Sequence, residues 1–196
     1  MPKLGMEPLR RAALVDATID CIGRAGSLDV TVGQIAKAAG VSSALAHHYF
    51  GAKDQIFLAA MRHILTLYGE AVRKALAQAD TPQHRLEAIV GASFDDAQFR
   101  RPVVSAWLNF YVQAHQSAEA ERLLRIYQRR LRSNLLYALR PLVGARAEPA
   151  AETLAALIDG FYIRAALGDG RIDAAGSAKL ALAAADLLVG GVRHDG

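Results

Sequence analysis

The sequence predicts an all-α protein of about nine helices, with an N-terminal three-helix unit carrying a helix-turn-helix and a larger helical body behind it. Three observations lead there. Alanine and leucine dominate a chain of 196 residues that is 53% hydrophobic, and both favour helix. Apolar residues recur at three- and four-residue spacing along most of the chain, the period of an amphipathic helix. Gly and Pro fall mostly where that period breaks, and no segment reads as a strand.

The first helix is expected from about Glu7 to Gly26, with Leu14, Ala17, Thr18, Cys21, Ile22 and Ala25 on one apolar face. Pro8 suits its first turn and Gly26 its end. A second, short helix should run from Thr31, as N-cap, to Ala38. Gly40, within Ala39-Gly40-Val41, supplies the positive φ of the turn. Ser42 then caps a third helix reaching about His48, and Tyr49-Phe50-Gly51 breaks the pattern. Ile35, Ala36, Val41 and Leu45 are spaced to pack the short pair together. That is a helix-turn-helix, whose second helix can enter the DNA major groove.

A long helix is expected from about Ala52 to Gln78, with Ile56, Phe57, Ala60, Ile64, Leu67, Ala71 and Ala75 as its stripe. Thr81 and Pro82 form the N-cap and first position of the next. Helical segments follow near 82–98, 102–115 and 117–143, punctuated by Pro102, Ser117 and Pro141. Two last helices, about 149–168 and 173–190, meet at a Gly168-Asp169-Gly170 turn. The organisation read from this is a DNA-binding part over 1–52 and a ligand-binding and dimerisation part over 53–196, joined without a flexible linker.

Composition narrows the function classes. The formal charge is +4 and the isoelectric point about 9.4, which suits nucleic-acid binding without demonstrating it. Cys21 is the only cysteine, so no intramolecular disulfide forms and a reducing compartment fits. No signal peptide or bilayer-spanning stretch is read, and the expectation is a soluble, cytoplasmic protein with no membrane partner. No nucleophile elbow, Gly-rich phosphate loop or HExxH is present, and His63, His84, His115 and His194 are scattered, so an enzyme is not expected. His47 and His48 are helix neighbours pointing about 100° apart and do not converge on a metal. Arg122, Arg125, Arg129, Arg130 and Arg132 are interleaved with Leu123, Leu124, Ile126, Tyr127, Leu131 and Leu135, which reads as a solvated face paired with Glu119 and Glu121 rather than a second nucleic-acid surface. Cys21, Phe50 and Phe57 read as core.

The order of parts, a first helix, a helix-turn-helix and the Tyr49-Phe50-Gly51-Ala52-Lys53 run ahead of a helical body, resembles the TetR family of one-component repressors. The similarity extends over almost the whole chain. The opening MPKLGMEPLRRAALVDATI, then GVSSALAHHYFGAKDQI, AWLNFYVQAHQS, LLRIYQRRLRSNL and LAALIDGFYIRAAL are similar to a choline-responsive branch of that family, which represses glycine betaine synthesis.

The resemblance implies that Thr31 caps the helix lying on the DNA backbone. It makes Ser42, Ser43, Ala44, Ala46, His47 and His48 the recognition helix, with Tyr49 and Lys53 on phosphates. The chemistry of these side chains suits such contacts, small Ala44 and Ala46 allowing close approach to base edges. Arg10 and Arg11 are further candidates for phosphate or minor-groove contacts. No cofactor is implied, and choline is the expected effector, releasing a homodimer from operator DNA near osmoprotection genes. A different inducer, such as a drug, a polyamine or another metabolite, is the alternative. A quaternary ammonium is held by aromatic faces and often a carboxylate. Trp107, Phe110 and Tyr111 share one side of a helix, and Asp159 and Tyr162 are three apart on another. A cage of Trp107, Tyr111, Tyr162 and Asp159 is one reading, with Phe94, Asp95 and Tyr127 as further candidates. Plain core packing of the same aromatic stripe is the other. Leu154, Leu157, Ile158, Phe161 and Ala165, with Ala178, Leu182, Ala185 and Val189, are the apolar faces expected to meet a second copy, placing two recognition helices about 34–36 Å apart.

Overall fold

The computed structural model describes residues 5–168 and 173–190. Nine α-helices lie within them, and no strand. They are α1 (Met6–Ala25), α2 (Val32–Ala38), α3 (Ser43–Phe50), α4 (Lys53–Leu76), α5 (Pro82–Ser93), α6 (Arg101–Ala114), α7 (Ala118–Val143), α8 (Ala147–Leu167) and α9 (Ala174–Gly190). A single 3-10 turn, Gly144–Arg146, joins α7 to α8. The turn expected at Gly168-Asp169-Gly170 lies, from 169 on, outside the described residues, as do His194 and the first four residues.

Local chemistry sets the boundaries of the N-terminal helices. Thr31 Oγ1 accepts from Gln34 N, and Gln34 Oε1 accepts in return from Thr31 N, a reciprocal capping box. Ser42 Oγ accepts from Leu45 N at the start of α3. Gly40 takes φ +67° between the two helices, a conformation that costs a residue with a Cβ. α3 runs two residues further than expected, through Phe50, because Gly51 at φ +71° closes it.

The body differs from expectation in two places. α5 stops at Ser93 rather than continuing to about 98. The Asp95 carboxylate accepts from the backbone N–H of Ala97 and Gln98, so a side chain supplies the bonds that a continuing helix would have made. On α4 the buried stripe runs through Phe57, Ala60, Met61, Ile64, Tyr68 and Val72. Leu67 is off it and 41% exposed, since the four-residue step from Ile64 lands on Tyr68.

α4, α5, α6, α7 and α8 pack around one continuous core, with α9 laid on α5 and α8. α1 packs on α2 and α4, and also directly on α6. That last contact has no slack. A Cβ built on Gly23 would lie 2.5 Å from Pro102 Cα, so only glycine lets the two backbones meet. Asn109 Nδ2 adds a long hydrogen bond, 3.4 Å, to the carbonyl of Gly26 at the end of α1.

Gly23→Ala is therefore expected to destabilise the protein by about 1–3 kcal/mol, the usual cost of forcing an extra carbon into a packed contact. Denaturant unfolding measures it, and an unchanged midpoint would show that α1 and α6 can separate freely.

Candidate ligand site and nucleic-acid interface

Within the body, α6, α7 and α8 each project aromatic side chains toward one place. α6 supplies Trp107, Phe110 and Tyr111; α7 supplies Tyr127; α8 supplies Tyr162 and Asp159. Ring centroids of Trp107 lie 4.7 Å from Tyr127 and 5.9 Å from each of Tyr111 and Tyr162. Tyr68 of α4 joins through Tyr127 at 5.8 Å, and Phe94 and Phe99 close the cluster beside Tyr162. Phe110 is fully buried behind Trp107, edge-on to Phe57, and forms the floor of the cluster.

Asp159 is the one carboxylate in this setting. Tyr127 Oη donates to its Oδ1 at 3.3 Å, and the Tyr111 phenol faces the same group. It makes no ion pair among the described residues. Burial raises the Asp159 carboxyl above its ordinary pKa, and the two phenols pull it part of the way back. Burial, with the negative field of Asp159, pushes Tyr111 and Tyr127 upward, and burial with the fields of Tyr68, Asp95 and Asp159 pushes Tyr162 upward. Tyr68 is pushed up to about 12, chiefly by burial. An acid without a cation, walled by π faces, is chemically complementary to a cation that needs no hydrogen-bond acceptor.

The four residues of the expected cage, Trp107, Tyr111, Tyr162 and Asp159, are thus brought together. Tyr127 and Tyr68 belong with them; Tyr127 had only secondary rank and Tyr68 none, since neither shares a short spacing with the rest. Asp95 does not belong. It is exposed and occupied in capping its own turn.

A cleft of about 470 Å³ lies on the α4–α7 side of the cluster, with Tyr68 and Tyr127 at its inner wall and Arg62, Arg73 and Arg130 among its lining. A second, of about 450 Å³, opens between α7 and α8 and reaches Asp159 past Arg125, Arg129 and Arg132. Of these arginines, Arg62, Arg125 and Arg132 are neutralised by Glu119, Glu121 and the pair Glu148 and Glu152.

At the other end of the molecule, α3 stands exposed on α2. Thr31, Ser42, Ser43, Ala44, His47, His48, Arg10 and Lys53 are all exposed. Ala46 is not. It is completely buried, its methyl packed into the core of the helix pair, so it cannot approach a base edge. Expecting Ala46 on the DNA was an error of helical phase: Ala44 and His47 straddle the outer face, and Ala46 turns inward. Arg11 is also less free than its charge suggested. Its guanidinium bonds Glu7 and the Tyr49 carbonyl at 2.8 Å each and covers the Tyr49 and Phe50 rings. A cation at the C-terminal end of α3 is favourably placed against the helix dipole. His47 Nδ1 lies 2.7 Å from the Gly51 carbonyl and must donate to it, leaving Nε2 outward. Lys53 Nζ donates to the Leu28 carbonyl at 3.1 Å.

Comparison with known proteins places this geometry. A model of the bacterial regulatory proteins of the TetR family matches residues 14–60, and a model of the BetI-type transcriptional repressor C-terminal region matches 82–190. The chain belongs to the TetR family, with a BetI-type C-terminal domain. It is 56% identical over 181 residues to the HTH-type transcriptional regulator BetI of Brucella suis, covering 92% of this chain and 91% of that protein. It is 52% identical over 190 residues to the BetI regulator of Agrobacterium fabrum, covering 96% and 88%. Among solved structures, a transcriptional regulator from Saccharomonospora viridis in complex with choline superposes with a TM-score of 0.77 at 22% identity, over 87% of this chain and 92% of that one. The family makes the chain a DNA-binding transcriptional repressor and not an enzyme.

The raised Asp159 pKa has a consequence for stability. Between the unfolded value near 3.8 and the higher folded value, the folded protein binds more protons, so this residue's contribution falls as pH rises through that window. Asp159→Asn removes the penalty. The variant is expected to be more stable than the parent near neutral pH, with the difference shrinking as pH falls toward the ordinary carboxylate range. Urea unfolding of both proteins at about pH 4 and about pH 7.5 measures this, and a pH-independent difference would contradict it.

Proposed function

We propose that this repressor holds choline in the Trp107–Tyr111–Tyr127–Tyr162 cluster against Asp159 and leaves its operator when choline binds. The observation that carries the reading is the half-buried carboxylate without an ion pair, set among aromatic faces. A trimethylammonium head offers no N–H, so π faces and one negative charge are what it can use. Support comes from the BetI regulators at 52–56% identity and from a choline complex in a protein of the same fold. The genes under control would convert choline to glycine betaine or import choline.

On this reading residues 1–52 are the DNA-binding part and 53–196 the ligand-binding and dimerisation part. Ser42, Ser43, Ala44, His47 and His48 face the groove, with Thr31, Arg10, Arg11, Tyr49 and Lys53 along the phosphates. Arg11 acts there by holding the end of α3 as well as by its charge. No helix among the described residues is long and apolar enough to cross a membrane.

The dimer face of this proposal keeps part of the one that spacing suggested, since Leu157, Ala165, Ala178, Leu182 and Val189 are only partly buried. Leu154, Ile158, Phe161 and Ala185 are buried inside the protomer, where they pack α8 and α9 onto the core. What α8 and α9 leave outside is Ile163, Leu167, Leu180 and Leu187, with Leu187 78% exposed. Large apolar side chains so exposed on adjoining helices call for a cover, and a second copy in twofold symmetry supplies one.

Fluorescence anisotropy on a betaine-synthesis promoter fragment tests the first claim. Millimolar choline is expected to weaken binding by roughly 5–150-fold, the usual span of allosteric coupling, while an unrelated amine leaves it unchanged. Tight binding indifferent to choline would keep the repressor and remove the effector. For the second claim, a Leu180→Asp, Leu187→Asp double variant is expected to run as a monomer in light scattering and to lose high-affinity operator binding. A variant that remains dimeric would place the interface elsewhere.

A further inference from the structure

Of the fully buried polar atoms in the aromatic cluster, one has no partner among the described residues. Tyr162 Oη donates to the Ser93 carbonyl, Tyr68 Oη shares a hydrogen bond with Ser93 Oγ at 3.2 Å, and Tyr127 Oη donates to Asp159. Trp107 is only 4% exposed, yet its Nε1–H meets no acceptor among the described residues. Buried donors are rarely left this way. An indole N–H can only donate, so no rotation or tautomer relieves it. The other buried unpartnered atoms, Gln98 Oε1 and Ser177 Oγ, are neither a ring nor the carboxylate of the cluster.

We infer that Trp107 Nε1–H is the donor that sets selectivity at this site, bonding the neutral oxygen on the short arm beside the effector's quaternary ammonium. The inference rests on reading the cluster as a cation site. It assigns the two ends of the ligand to different groups: the rings and Asp159 take the charged head, and the indole edge takes the oxygen. The arm should be neutral. A carboxylate there would stand in the same cluster as Asp159, and two like charges in a desolvated place repel. Trimethylammonium compounds ending in a hydroxyl or a carbonyl therefore fit, whereas tetraalkylammonium ions and carboxylate-bearing zwitterions fit less well. Oxygen-free analogues leave the indole N–H buried and unpaired in the complex, the situation that gives polar sites their selectivity.

Titration calorimetry of choline against propyltrimethylammonium, in which a methyl group replaces the hydroxyl, isolates the contact. Choline is expected to bind at least about tenfold more tightly. Trp107 is the only tryptophan, so its indole N–H gives a single resonance in a nitrogen–proton correlation spectrum. Choline is expected to move that resonance downfield, and the isostere to leave it near its free position. In Trp107→Phe, which keeps a ring but no donor, the two ligands should bind alike. Equal affinity for the two ligands in the unaltered protein overturns the hydrogen bond and leaves the cation site standing. Binding of neither ligand overturns both. If Trp107→Phe does not fold, the unaltered protein's affinities and spectra decide the matter alone.

Discussion

Helix α6 meets α1 without clearance, and most of what this molecule can do mechanically depends on that contact. One face of α6 carries Pro102 against Gly23 and Asn109 toward the end of α1. Another carries Trp107, Phe110 and Tyr111 into the aromatic cluster. A protein interior is close-packed and does not absorb displacements by compressing. A shift of α6 driven from the cluster side must appear at α1, which packs on α2 and α4 and whose Arg11 grips the end of α3 through the Tyr49 carbonyl.

The cluster carries an electrostatic cost that an ordinary core would not. Removing a carboxylate from water is unfavourable unless it is paired, and phenols compensate it only in part. Leucine or phenylalanine in place of Asp159 would pack the same space without the penalty. The arginines of α7 sharpen the point. Arg125 and Arg132 stand nearby, but Glu121, Glu148 and Glu152 engage them, and none of the described arginines is in salt-bridge contact with Asp159.

The N-terminal helices were legible because their determinants are local. Thr31, Gly40 and Ser42 act within three or four residues of themselves, and α2 and α3 begin where these residues indicate. The end of α5 was not legible, since a 3.6-residue apolar pattern runs on past Ser93 while Asp95 redirects the backbone through its side chain. Facing was the other failure. α8 and α9 are apolar on more than one side, so periodicity alone could not separate the core side of Leu154 and Ile158 from the outer side of Leu167 and Leu187. Ala46 misled for a similar reason: in an eight-residue helix carrying both Ala44 and Ala46, little distinguishes the inner methyl from the outer. The grouping of side chains on α6 and α8 was legible because aromatic spacing is visible within one helix. Tyr127, 32 residues from Asp159, becomes part of the site only through the packing of α7 on α8.

The packing of the rings ties ligand entry to movement. Centroids 4.7–5.9 Å apart are in contact with one another, whereas a cation on an aromatic face needs up to about 6 Å to each centroid on its own side. A trimethylammonium head cannot enter unless α6, α7 or α8 separates or the rings turn. If α6 yields, the displacement reaches α1 through Gly23. If α7 yields, it reaches α4 through Glu119, which accepts from Gln55 at 2.9 Å and from Arg62 at 2.7 Å. Both routes end at helices that seat α3. If choline opens the cluster and releases the operator, as proposed, the closed arrangement that suits the operator must resist choline by the same factor.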